Sequence, residues 1–205
     1  KKKILDDYDY VVNLGGYPDH SILNVGGEKI IKNHFDAVIN LITLTSSKNL
    51  KKFIQIGSSD EYGQVEAPQS ENFREQPISP YSVAKAASTH LIQMLYRTER
   101  FPGVTLRPFL IYGPGQDEKR FIPQVINGCL NESTFPTSEG KQVRDFCHVD
   151  DAVNAIMLAI LSDDSNGKIF NIGSGIPITI RSVVKKITNI IDKGKPQFGI
   201  VPYRS

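Results

Sequence analysis

Tyr81 and Lys85 stand four residues apart in the run Ser79-Pro80-Tyr81-Ser82-Val83-Ala84-Lys85, a spacing that puts both side chains on one face of a helix. A phenol with its ordinary pKa of about 10 is a poor base at neutral pH, and bringing it near 7 takes ~4 kcal/mol. One ammonium about 4 Å away supplies roughly that much at an effective dielectric near 20. Such a pair can move a proton on or off a hydroxyl while a cofactor takes the hydride. With eight tyrosines in the chain, the spacing also arises readily by chance, and alone it decides little. A second polar set, Ser58-Ser59, follows the apolar run Phe53-Ile54-Gln55-Ile56 and Gly57. In an open parallel sheet ligands collect outside the carboxyl ends of the strands, where a hydroxyl can bond a reacting alcohol or ketone. The same residues read equally well as a plain polar turn.

These side chains need a scaffold, and the apolar pattern supplies one. Short runs rich in Val, Ile and Phe alternate with longer segments of helical period, which argues for βα units and a parallel sheet. Strands are expected at Tyr10-Val11-Val12-Asn13-Leu14, stopped by Gly15-Gly16, at residues 53–56, at 104–107 ending near Pro108, and at 169–172. A helical stretch over 27–48 would carry Ile30, Ile31, His34, Val38, Leu41 and Ile42 on one side. Ser79-Pro80 starts a second helix, with Ser as N-cap and Pro where its missing N–H costs nothing; it runs to about Arg97. Further helices are expected at 121–130, 150–162 and 179–191. Residues 64–78 read as a loop, and the tail from Gly194 to Ser205 shows no element. Both ends have the look of a cut chain.

Composition excludes several classes. The formal charge of +2, with no basic stripe, gives no case for nucleic acid. Cys129 and Cys147 make neither a disulfide framework nor a metal set, and the histidines at 20, 34, 90 and 148 are scattered, so no metal site is expected. No apolar run approaches the ~20 residues that span a bilayer, and no signal pattern opens the chain. A cytoplasmic α/β protein is the starting expectation.

Four blocks in order sharpen this: Gly57-Ser58-Ser59-Asp60-Glu61-Tyr62-Gly63, the Tyr81–Lys85 run, Leu106-Arg107-Pro108-Phe109-Leu110-Ile111-Tyr112-Gly113-Pro114-Gly115, and Arg144-Asp145-Phe146-Cys147-His148-Val149-Asp150-Asp151. Together they resemble the NAD-dependent epimerase/dehydratase family of extended short-chain dehydrogenases, over nearly the whole chain. The resemblance implies a doubly wound, Rossmann-like α/β core lacking its first strands, with part of a small C-terminal substrate domain. Residues 1–110 would form the partial dinucleotide domain. Residues 111–205 would mix substrate-domain pieces with a strand and helix returning to the core.

The resemblance also implies roles. Tyr81 would be the acid/base and Lys85 would hold the nicotinamide ribose of NAD or NADP. Ser58 would bond the sugar oxygen, with Ser59 as fallback. Leu14, Gly15, Gly16 and Pro108 would lie along the cofactor; Ser59, Phe109 and Arg144 would contact a nucleoside-diphosphate sugar, Arg144 pairing with its pyrophosphate. Dehydratases of the family carry an acidic pair just after the Ser/Thr. Counting from Ser58 leaves only Asp60 in that place, whereas counting from Ser59 gives Asp60-Glu61, so epimerase and dehydratase both stay open.

Some family features are missing. The Gly-rich fingerprint joining first strand to first helix is not in the sequence, so the chain is expected to be a fragment that binds dinucleotide weakly and tends to aggregate. Leu110 replaces an Asn that contacts substrate in many members. Alternatives are a reductase spending NADPH on a 4-keto sugar and a non-catalytic binding module. A homodimer through the Tyr-bearing helix, which carries Ala87, Leu91, Met94 and Leu95, is the implied assembly.

Overall fold

The computed structural model describes residues 8–45, 49–131 and 134–202. In chain order they form β1 (Tyr10–Asn13), helical segments Leu23–Gly27, α1 (Glu28–Ile31), Lys32–Asp36 and α2 (Ala37–Leu44), then β2 (Lys52–Ile56), a short turn of helix Ser59–Glu61, α3 (Pro80–Glu99), β3 (Gly103–Pro108) and β4 (Leu110–Tyr112). There follow α4 (Phe121–Leu130), β5 (Thr134–Thr137), β6 (Val143–His148), α5 (Val149–Leu161), β7 (Ile169–Ile172), β8 (Pro177–Thr179), α6 (Ile180–Ile191) and β9 (Lys195–Phe198). These fall into two compact units: one comprises residues up to Phe109 together with Ala152–Ile172, the other Leu110–Asp151 together with the residues from Gly173.

In the first unit β1, β2, β3 and β7 form a parallel sheet in that order, in a register that sets Val12 beside Ile54 and Ile54 beside Val104. Helices cover both faces, so the central strands read as unbroken apolar runs. On one face Phe53 packs with Leu50, Ile92, Leu95 and Phe101; on the other Ile54, Val104 and Leu106 pack with Ala159 of α5. At the start of β2 the buried Lys52 ammonium donates to the Ser162 carbonyl, Ser165 Oγ and Asn166 Oδ1 at 2.7, 3.1 and 2.8 Å. Three acceptors offset the cost of burying that charge, although burial still lowers its pKa.

The helical stretch begins at Leu23, earlier than the apolar period suggests, and leaves helical geometry at Val25 and Gly26. Its described part ends at Leu44; residues 46–48 of the expected stretch lie outside the described residues. Ile30, His34 and Val38 are buried along it. α3 starts as its sequence requires: Ser79 Oγ accepts from Ser82 N at 3.1 Å, Ser82 Oγ accepts from Ser79 N at 2.9 Å, and Pro80 opens the first turn.

In the second unit β4 pairs parallel with β6 and β6 antiparallel with β8. Val125, Cys129 and Val184 form its core with Phe121, Phe135, Ile187 and Phe198 around them. The sequence pattern offers no element after Gly194, yet Lys195–Phe198 forms β9 and pairs parallel with β5. Burial in β9 alternates residue by residue, and Pro196 together with polar neighbours conceals so short an edge pair. Phe198 contributes to the core and stacks its ring under the Arg181 guanidinium at 4.0 Å, so β9 belongs to the packing of this unit.

Candidate active site

At the carboxyl end of β2 the chain turns through Gly57-Ser58 into the short helix Ser59–Glu61. Ser58 caps it: its Oγ accepts from Asp60 N at 3.1 Å, and its own N–H donates to Glu61 Oε1 at 2.9 Å. Glu61 points inward and is fully buried. Its Oε2 accepts from Thr89 Oγ1 on α3 at 2.8 Å and from Arg107 Nε on β3 at 2.9 Å. Burial pushes the Glu61 carboxyl up, against the pull of the Arg107 guanidinium and the Thr89 and Ser58 donors. Arg107 also pairs with Glu75 and lies 4.8 Å from the centre of the Tyr62 ring. Gly57 has no latitude, since a Cβ there would sit 2.3 Å from Glu61 Oε1.

Helix α3 brings the Tyr–Lys pair to the same strand ends. Tyr81 and Lys85 are both buried. The Lys85 ammonium donates to the Ile56 carbonyl at 2.9 Å and lies 5.8 Å from the centre of the Tyr81 ring. Burial lowers the Lys85 pKa, with the Glu61 carboxylate pulling the other way. Around Tyr81 stand two histidines from the segment after β1: His34 at 5.2 Å and His20 at 5.7 Å between ring centres, both edge-to-face. His20 Nε2 also lies 3.8 Å from Asp60 Oδ2.

Among the residues singled out from sequence, Ser58, Ser59, Asp60, Tyr81, Lys85, Gly15 and Gly16 lie in the first unit, on the segments that follow β1 and β2 and on α3. Ser59 is half-buried and Asp60 exposed. Leu14 is exposed just past β1, and Gly15 N donates to Asn13 Oδ1 at 3.0 Å. Pro108 ends β3, and Phe109 N donates to the Ile172 carbonyl at 2.9 Å. Arg144 is an exposed residue of β6 in the second unit, its Nη1 donating to the Val143 carbonyl at 2.8 Å. On α3, Leu91 and Leu95 pack in the core while Met94 is exposed.

Sequence reasoning missed three neighbours. From sequence Glu61 reads only as an acid for the substrate, although its partner Arg107 stands in another of the same four blocks. His34 sits in the apolar row of its helix, where it looks like filler. His20 carried no signal beyond being one of four histidines.

The segment after β1 fits a nucleotide cofactor on its geometry. Gly16 has φ +134°, and a Cβ there would lie 3.4 Å from Lys85 Nζ, so the backbone of this segment passes close to the ammonium. Lys85 spends one of its three N–H donors on Ile56; the other two suit the hydroxyls of a ribose. Among the described residues no group of three or more His, Cys, Asp or Glu could hold a metal, and no helix of the described residues is long and apolar enough to cross a membrane.

The model of the NAD dependent epimerase/dehydratase family matches residues 1–173. The chain belongs to this family. Relatives within it include a dTDP-D-glucose 4,6-dehydratase of Dictyostelium discoideum, 30% identical over 195 residues, covering 89% of this chain and 45% of the relative. A solved structure of UDP-N-acetylglucosamine 4-epimerase from Methanobrevibacter ruminantium, in complex with UDP-N-acetylmuramic acid, superposes with a TM-score of 0.88 at 29% identity, covering 96% of this chain and 64% of that one. UDP-glucuronic acid 4-epimerase from Bacillus cereus, in complex with UDP-glucuronic acid and NAD, gives a TM-score of 0.83 at 27% identity, covering 94% of this chain and 62% of that one. The chain thus spans between about half and two thirds of the family members it matches. The epimerase/dehydratase fold is that of the first unit: an α/β core around a parallel sheet.

Proposed function

We propose that this protein is a nucleoside-diphosphate-hexose 4-epimerase that oxidises its sugar transiently at C4, with Tyr81, Lys85 and Ser58 at the reacting carbon. The observation that carries the choice of epimerase is the inward burial of Glu61. Whichever serine of the turn bonds the sugar, Asp60 is the one exposed acid after it, because Glu61 is committed to Arg107, Thr89 and the Ser58 N–H. An elimination that expels water across two carbons calls for an acid and a base in that place, and the turn offers one carboxylate.

Bound NAD supplies the acceptor and later the donor of two electrons at C4. The residues do the rest. Ser58 Oγ accepts from Asp60 N, so its own proton is left to donate to the sugar oxygen. Tyr81 takes the O4 proton as the alcohol becomes a ketone and returns it after the sugar has presented its other face. Lys85, tethered by the Ile56 carbonyl, keeps a positive charge beside the phenol and donates to the cofactor ribose beside Gly16. Arg144 would pair with the pyrophosphate of the sugar-nucleotide. A homodimer through α3, whose Val83 and Met94 are exposed, belongs to the same reading.

A 4,6-dehydratase is the second reading, favoured by the 30% identity to the Dictyostelium dehydratase. The test incubates the protein with UDP-, TDP-, GDP- and CDP-hexoses and a trace of NAD, following product mass and retention. Unchanged mass with a new retention time is the expected result; loss of one water would establish the dehydratase instead. Turnover only with stoichiometric NADPH and a 4-keto sugar would overturn both.

A further inference from the structure

His34 occupies a position where an aliphatic side chain would ordinarily serve. It lies in the buried row Ile30, His34, Val38 and is 5% exposed. Three groups enclose its ring. Tyr81 meets it edge-to-face at 89° with 5.2 Å between centres, and Tyr17 is tilted against it at 5.1 Å. The Gly16 backbone lies so near that a Cβ there would come within 2.7 Å of the imidazole Cε1. Nε2 has no partner, so that edge of the ring ties no other part of the fold together. Of its ring contacts, the one that reaches the Tyr–Lys pair is with Tyr81.

We infer that His34 is a positioning residue for Tyr81: clamped between the Gly16 backbone and Tyr17, its ring sets the plane of the phenol on α3 relative to Lys85. The phenol is then held by a neighbour on its own helix that is itself pinned to Ile56 and by the rings of His34 and His20 from the segment after β1. These supports belong to the first unit. The inference rests on the reading of Tyr81 as the acid/base of a sugar-nucleotide epimerase, and it adds a residue that the motifs of the sequence do not contain.

The test uses the full-length protein and four variants: His34→Ala, His34→Phe, Tyr81→Phe, and His34→Ala combined with Tyr81→Phe. Misplacement of a reacting group by about 1 Å can cost roughly a hundredfold. His34→Ala should therefore lower kcat about 10- to 100-fold while leaving KM for the sugar-nucleotide unchanged. His34→Phe keeps a ring against Tyr17 and Tyr81 and should recover most of the loss. In the Tyr81→Phe background, His34→Ala should cost nothing further, because its effect runs through the phenol. An equal loss in that background, or a rise in KM with kcat unchanged, would overturn the assignment. A second readout is independent of turnover: the ultraviolet titration of Tyr81, taken as wild type minus Tyr81→Phe. Its midpoint should shift in His34→Ala and stay in His34→Phe; identical midpoints in wild type and His34→Ala would overturn the proposal. If the wild type turns over no sugar-nucleotide, the epimerase reading fails while the titration still decides the role of His34.

Discussion

Glu61 Oε2 lies 2.9 Å from both Nε and Nη2 of Arg107, and neither side chain reaches solvent. The pair does more than cancel charge. Through Glu61 it joins the end of β3 to the Ser58 turn and to the Thr89 hydroxyl of α3, the two elements that carry Ser58, Tyr81 and Lys85. Buried ion pairs are weak sources of stability compared with apolar packing, but breaking one strands its partner.

Removing Glu61 is therefore predicted to be severe. Glu61→Ala leaves Arg107 with Glu75 alone and takes the acceptor from Ser58 N and Thr89, so the loss should reach about 3–5 kcal/mol. Glu61→Gln retains a carbonyl for the Ser58 N–H and should cost less. Urea denaturation of the two variants checks this; a loss under about 1 kcal/mol for the alanine variant would mean the pair contributes little beyond its own desolvation.

The parts of this arrangement that sequence made legible are those set by local rules. β2 and β3 stand out because strands covered on both faces must be apolar throughout, and α3 announces itself through Ser79 and Pro80. Tyr81 and Lys85 stand out by their helical spacing, and Ser58, with Ser59 as the alternative, by its place after the apolar run of β2. What stayed hidden depends on partners far along the chain. Glu61 looks like a substrate acid until Arg107, 46 residues on, is seen to claim it. His34 has the spacing of a core residue and is one, and only the fold reveals which ring it touches. β5 and β9 are four residues each, with Pro136 and Pro196 inside them, so their pairing carries almost no local signal.

Gly16 offers a sharper test of the cofactor side. Its φ of +134° lies where side chains are strained, and an added Cβ would fall 2.7 Å from His34 and 3.4 Å from Lys85 Nζ. Gly16→Ala should destabilise the fold by roughly 1–3 kcal/mol and weaken NAD binding more than sugar-nucleotide binding. Calorimetric titration with each ligand separates the two; equal weakening would place Gly16 away from the cofactor.

The three side chains proposed at C4 should fail in different ways. Tyr81→Phe removes only a hydroxyl and should lower kcat by about 10²–10⁴ with KM little changed. Lys85→Met should lower kcat and weaken NAD binding together, since the ammonium is assigned to both phenol and ribose. Ser58→Ala also removes the cap on the turn, worth about 1 kcal/mol, so its kinetic loss should come with a lower melting temperature. Steady-state kinetics and thermal melts of the three variants check the pattern. A Lys85→Met enzyme that binds NAD normally would detach Lys85 from the ribose.

His34 also predicts how stability responds to acid. Burial, aided by the Lys85 ammonium, holds its pKa below the ordinary 6.5 in the folded chain, whereas the unfolded chain takes up this proton near 6.5. Above that pH the imidazole is neutral in both states and contributes no pH dependence. Below it the unfolded state binds the extra proton, so stability falls as pH drops, by at most about 1.4 kcal/mol per unit from this group, until the folded pKa is reached. His34→Phe removes the proton from both states and should flatten this part of the curve. Urea midpoints of wild type and variant between pH 7 and pH 5 isolate the effect, because every carboxylate is common to the two proteins. A difference between them that does not change with pH would mean that the folded chain accepts the proton as readily as the unfolded one. The imidazole would then be able to carry a charge beside Lys85, and burial would not be holding it neutral against Tyr81.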